Sequence, residues 1–244
     1  NISRTFYRHV VRRNEELLLI LNEPAERYVK EEQITVSGTV EGNGDIQVTV
    51  NGEPAIVNAG TFISAPIHLQ SGKNIIEIVA VDTTGRRATD TMTVYYDTTP
   101  PLVTVVTPED GLITNQAVVT VSGEVADDYA LAYLTVNGSV VPITQGQFIF
   151  ELSLADGYNT ITVMAQDLAG NISVLQRRLL IDTVAPEDFV PQGPEGWTNN
   201  NQPTIFFATS DELSGLAYYQ IRIDDGEWIG PVNSPYKFAS ELPD

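Results

Sequence analysis

An internal period of about 85 residues constrains this chain more than any other feature. Residues 34–101 and 119–186 align almost end to end. Val36-Ser37-Gly38 recurs as Val121-Ser122-Gly123 at an offset of 85, and Asp82 and Asp97 recur as Asp167 and Asp182 at the same offset. Val50-Asn51-Gly52 recurs as Val136-Asn137-Gly138 at an offset of 86. A spacing held across so many identities means that one structural unit is built twice. A third copy is traceable. Thr198-Asn199 answers Thr114-Asn115, Asp224-Asp225-Gly226 answers the Val-Asn-Gly turn, and Leu242-Pro243-Asp244 answers Leu154-Ala155-Asp156.

Each copy reads as strands. Ile46, Val48 and Val50 alternate with polar residues, as do Leu134 and Val136, and Tyr219, Ile221 and Ile223. Ile76, Ile78 and Ala80 repeat the pattern, matched by Ile161, Val163 and Ala165. Period two means one buried and one wet face. The Asn-Gly pairs that follow favour tight hairpins, because both central residues need positive φ. Six or seven short strands per copy, with no helical spacing, predict an all-β fold of tandem antiparallel β-sandwiches arranged as a linear rod. "DTTPP" at 97–101 and "DTVAP" at 182–186 end the copies, their prolines stiffening the joints.

The first eleven residues, "NISRTFYRHVV", fall in the same phase: they align with "NISVLQRRLLI" at 171–181, two periods on. Residues 1–14 are therefore expected to be the last strand of a preceding, truncated copy. Arg4 and Arg8 then lie along a strand, which displaces the readings of a transit peptide or a nucleic-acid patch. The remaining segments are copy 1 at 15–100, copy 2 at 101–185, and copy 3 at 186–244, cut before its last two strands.

Composition excludes several functions. A net charge of −19 argues against nucleic acid and against an anionic membrane surface. The longest apolar run, Leu17 to Leu21, is too short to span a bilayer, so no membrane insertion is expected. With no cysteine there are no disulfides, Cys-zinc sites or thiol catalysis. The two histidines, His9 and His68, fall in strands of different copies, which does not make a Ser-His-Asp group. Acids are plentiful, but they recur with the repeat, and a recurring element suits scaffolding better than one active site.

The stretches "VAVDTTGRRATDTMTVYYDTTPP" and "VMAQDLAGNISVLQRRLLIDTVAP" resemble tandem bacterial Ig-like (Big) repeats of surface proteins and adhesins. In that family a strand ends in Asp-x-x-Gly-Asn and the copy closes in Asp-Thr-Thr-x-Pro. Copy 2 keeps the first pattern at 167–171, whereas copy 1 has Arg86 in place of the Asn. The resemblance implies Ig-like sandwiches, an extracellular or bacterial cell-surface location, and a non-catalytic structural or adhesive stalk. Its partners would be neighbouring repeats and a cell-surface glycan or protein ligand. The alternative is an accessory carbohydrate-binding region of a secreted enzyme.

In a seven-strand sandwich the loops after the second and sixth strands share one end with the incoming linker. The first joint then gathers Asp97, Asp127, Asp128 and Asp167, and the next gathers Asp182, Asp211 and Glu212. Clustered carboxylates repel and select a hard cation, which predicts Ca²⁺ at the joints. The resemblance points the same way, since similar repeats hold Ca²⁺ there. The plainer alternative is that these aspartates cap turns and strand ends. In copy 3, Tyr218, Trp228 and Trp197 are candidates for a carbohydrate platform, against a bland reading in which Trp228 packs beside its hairpin and Tyr219 and Phe238 are core.

Overall fold

The computed structural model describes residues 17–196 and 200–238. The expected strand at 1–14, Trp197, Thr198-Asn199, Leu242-Pro243-Asp244 and His9 lie outside the described residues. Every regular element described is a strand.

Copy 1 contains β1 (Leu18–Leu21), β2 (Glu26–Val29), β3 (Gln33–Ile34), β4 (Ser37–Glu41), β5 (Ile46–Val50), β6 (Glu53–Pro54), β7 (Ile56–Asn58), β8 (Thr61–Ile63), β9 (Ile67–His68), β10 (Gly72–Asp82) and β11 (Arg87–Tyr96). One sheet runs β1-β4-β8-β7, the other β2-β11-β10-β5-β6, and β3 pairs with β9. Copy 2 contains β12 (Leu102–Thr107), β13 (Leu112–Thr114), β14 (Val118–Ala126), β15 (Leu131–Val136), β16 (Ser139–Val141), β17 (Gln147–Ser153), β18 (Gly157–Asp167) and β19 (Ile172–Ile181). Its sheets run β12-β14-β17 and β13-β19-β18-β15-β16. The two copies share one connectivity, that of an Ig-like sandwich.

The antiparallel expectation needs one refinement. The first strand of each copy is split between sheets. In copy 1, β1 pairs antiparallel with β4, and then β2 runs parallel to β11. In copy 2, β12 sits beside β14 and β13 runs parallel to β19. A strand that crosses over covers an edge of both sheets, edges that would otherwise present unpaired backbone groups.

The alternating positions form the cores. Val48, Val50, Ile76, Ile78, Ala80 and Val94 are buried in copy 1, and Leu134, Val136, Ile161, Val163, Ala165 and Ile181 in copy 2. Each large one contributes about 1.5–3 kcal/mol by leaving water. The described residues divide into two compact units. One holds the residues up to Thr104 with Val125–Gly146 and Met164–Val174; the other holds Val105–Glu124, Gln147–Val163 and those from Leu175 onward. In the second unit, copy 3 contributes β20 (Thr204–Ile205), β21 (Tyr219–Ile221), β22 (Ile229–Val232) and β23 (Tyr236–Lys237), paired as β20-β23 and β21-β22.

The Asn-Gly hairpins take the expected backbone: φ is 50° and 84° at Asn51 and Gly52, and 46° and 82° at Asn137 and Gly138. Copy 3 departs from the pattern. There the positive φ falls at Asp224, 45°, and the register of β21 against β22 shifts between Tyr219 and Ile221. Seven residues, 222–228, separate those strands, so no two-residue turn fixes them. A Cβ on Gly138 would meet nothing within 4 Å. Gly138→Ala should therefore cost only backbone strain, about 1 kcal/mol in urea unfolding. A neutral result would show that this turn does not depend on its left-handed residue.

Candidate metal centre

The corner at the end of copy 1 is assembled from three chain segments. Asp97 follows β11, and its N–H donates to the Val29 carbonyl at 2.9 Å, so the parallel β2–β11 pair fixes where the linker begins. Asp127 opens the β14–β15 loop. Asp167 ends β18. All three fall in the same compact unit. A carboxylate oxygen from each lies within 4.8 Å of the others.

Each aspartate also caps its own loop. Asp97 Oδ1 accepts from the Thr99 N–H at 2.9 Å. Asp127 Oδ1 accepts from the N–H groups of Tyr129 and Ala130 at 3.0 and 3.1 Å. Asp167 Oδ1 accepts from those of Gly170 and Asn171 at 2.6 and 2.8 Å. The turn chemistry and the convergence are thus one arrangement, since the caps hold the carboxylates in place. Asn171, which the sequence reading did not single out as a site residue, ties the corner together. Its Nδ2 donates both to Asp167 Oδ2 at 2.8 Å and to the Asp97 carbonyl at 2.9 Å.

Capping does not use every oxygen. Asp127 Oδ2 is buried and has no hydrogen-bond partner. Burial, then the neighbouring charges of Asp97 and Asp167, push the Asp127 carboxyl above the usual carboxylate range, against the opposing pull of its loop N–H groups. Among the described residues none of the three aspartates forms an ion pair with a basic side chain. Lys30 Nζ reaches the Gly170 carbonyl at 3.4 Å instead. An orphaned buried oxygen on an aspartate grouped with two more fits a hard divalent cation. Ca²⁺ takes about six to eight oxygens, so the three aspartates would hold part of its shell.

Asp128 is exposed and is not one of this three-acid group. The second predicted cluster is arranged differently. Asp182 is pinned as Asp97 is, its N–H donating to the Thr114 carbonyl at 2.9 Å. Its Oδ1 accepts from the Val184 N–H at 3.1 Å, and its Oδ2 from the Ser214 N–H at 2.9 Å. Hydrogen bonds from Ser214 are the main reason its carboxyl sits below the ordinary range. Asp211 Oδ1 accepts from the N–H groups of Leu213 and Gly215 at 3.2 and 2.9 Å. Glu212 is exposed. Among the described residues the three-acid group is that of Asp97, Asp127 and Asp167 alone.

Tyr218 and Trp228 are both exposed, and Arg222 stands over the Trp228 ring at 5.1 Å. Tyr219 is half-buried against Phe207 and Phe189, and Phe238 is buried. His68 is exposed, next to Gln33 across the β3–β9 pair.

The chain is 33% identical over 220 residues to bacillopeptidase F of Bacillus subtilis (strain 168), a match covering 85% of this chain and 15% of that relative. It thus spans a small part of the curated protein it matches. Among solved structures it is similar to fibronectin(III)-like modules of Clostridium thermocellum CbhA, with 16% identity, a TM-score of 0.46, and coverage of 67% of this chain and 94% of that one. It is also similar to an I-band fragment of titin, with 10% identity, a TM-score of 0.47, and coverage of 91% and 90%. The family model "Glucodextranase, domain B" matches twice, over residues 18–98 and 101–183, once per copy, and the chain belongs to that family.

Proposed function

We propose that this chain is a non-catalytic, extracellular spacer of a larger bacterial protein, with the joint after copy 1 held by Ca²⁺ on Asp97, Asp127 and Asp167. The orphaned oxygen of Asp127 carries the cation part: its Oδ2 is a buried carboxylate oxygen without a donor, on a residue grouped with two further aspartates. The repeated sandwich, whose acids serve loops rather than a unique cleft, supports the spacer. The family and the curated relative bear the names of enzymes, which favours an accessory region beside a catalytic domain over the shaft of an adhesin.

Calorimetric titration with CaCl₂ tests this. One Ca²⁺ per chain is expected for the native sequence and none for Asp127→Asn, which keeps the loop-capping oxygen and removes the charge. No binding by the native chain would remove the cation from the proposal. Retention on a polysaccharide column, lost in Trp228→Ala, would replace the spacer with the carbohydrate-binding alternative.

A further inference from the structure

The chain contains a second version of the same corner. Asp82 ends β10 as Asp167 ends β18, and its Oδ1 caps the turn likewise, accepting from the Thr84 N–H, the Thr84 hydroxyl and the Arg86 N–H at 2.9, 2.7 and 3.1 Å. The difference lies at Oδ2. In copy 1 this oxygen takes the Arg86 guanidinium, with Nη2 at 2.6 Å and Nε at 2.9 Å. In copy 2 the equivalent oxygen takes the neutral amide of Asn171.

The surrounding positions differ in the same sense. At an offset of 85, Gly42 stands where copy 2 has Asp127. A Cβ on Gly42 would lie 3.6 Å from Asp82 Oδ2, so a side chain there would reach this carboxylate. Among the described residues, the Asp82 corner thus has a carboxylate with a built-in cation, and the Asp167 corner gathers three acids with none. Two corners of one fold have neutralised the same carboxylate position in different ways.

We propose that residue 86 and its counterpart 171 determine which corner recruits a cation: Arg86 makes the first self-sufficient, and Asn171 leaves the second open to a divalent ion. This rests on the Ca²⁺ reading above. A guanidinium at 171 would occupy the place of the ion and neutralise the three aspartates from within, since a paired buried charge is far less costly than an unpaired one. Asn171 is a positioning residue here, holding Asp167 and the Asp97 backbone while adding no charge.

The test compares Asn171→Arg with Asn171→Ala, which loses the same two amide bonds without gaining a cation, and adds Arg86→Asn. Each is titrated with CaCl₂ and melted in EDTA. Asn171→Arg should bind Ca²⁺ more weakly than the native chain by roughly tenfold or more, and melt above Asn171→Ala in EDTA. Arg86→Asn should melt lower, with no recovery of copy 1 in Ca²⁺. Native-like Ca²⁺ affinity in Asn171→Arg overturns the proposal, as does a melt no higher than that of Asn171→Ala. A native chain that ignores Ca²⁺ defeats the earlier reading and, with it, the recruitment of an ion by the second corner, whereas the EDTA comparison separately decides whether position 171 is a slot for a cation.

Discussion

In EDTA at neutral pH the chain should melt about 5–10 °C below its value in saturating Ca²⁺. The size follows from linkage: a ligand at about a hundred times its Kd stabilises the folded state by about 2.7 kcal/mol, and about 1 kcal/mol moves the midpoint of a unit this size by 2–4 °C. Asp127→Asn should abolish the difference and melt in EDTA at or above the native chain, because a neutral side chain no longer meets Asp97 and Asp167. The pH dependence has a definite sign. Asp127 has a folded pKa above its unfolded value, so the folded state holds its proton more tightly. Its contribution is complete below the unfolded value near 4 and is lost as pH rises through the folded one. Metal-free protein should therefore gain stability from this group as pH falls from about 7 toward the unfolded value near 4, while the Ca²⁺ increment shrinks as protons compete with the ion. Asp82 acts oppositely. The Thr84 hydroxyl and Arg86 hold it well below the usual range, so its contribution is present above about pH 4 and is lost on acidification. Superimposed melts in Ca²⁺ and EDTA, across this pH range, would leave the three aspartates as loop caps only.

Much of this was legible in the residues, because the repeat supplied an internal comparison. Alternation placed Ile76, Ile78 and Ala80 and their counterparts inside, and the Asn-Gly pairs placed two hairpins, since both signals are local. The convergence of Asp97, Asp127 and Asp167 came from topology alone: a linker and two loops at one end of a sandwich. Topology could not separate Asp127 from Asp128. Successive residues of a loop point in different directions, and only Asp127 takes the Asx turn that aims it at its neighbours. Nor could it show Asp182 and Asp211 bound up with backbone donors, because those partners lie at Val184, Ser214 and Gly215, which carry no motif. Arg86 was visible as a departure from the family pattern, but its partner was not, since a salt bridge four residues apart depends on how the turn is wound. The split first strand was illegible for another reason. Leu17 to Leu21 is simply apolar, and nothing local marks the crossing between sheets.

Gly38→Ala should destabilise copy 1 by about 3 kcal/mol, at the upper end of what overpacking one side chain costs. In the sequence Val-Ser-Gly served only to mark the register of the repeat. The structure gives it a physical role. Gly38 faces inward on β4, a strand flanked by β1 and β8, and it pairs directly with Leu21 on one side and Phe62 on the other. Phe62 is buried, and a Cβ on Gly38 would come within 2.6 Å of its ring and also run into the Ile20 carbonyl oxygen. The missing side chain is thus the space that the phenyl ring fills. Copy 2 has the same pairing, Gly123 standing opposite the buried Phe148. The two halves of the clash can be separated. Phe62→Leu alone leaves a modest void, but it gives a methyl at position 38 somewhere to go, so the double variant should be less destabilised than the sum of the singles. It should not reach native stability, because the Ile20 carbonyl belongs to the backbone of β1 and moves only if the β1–β4 pairing opens. Strict additivity in urea unfolding would mean that the glycine is required by the strand backbone alone, and that the Gly–Phe pairing in both copies is incidental.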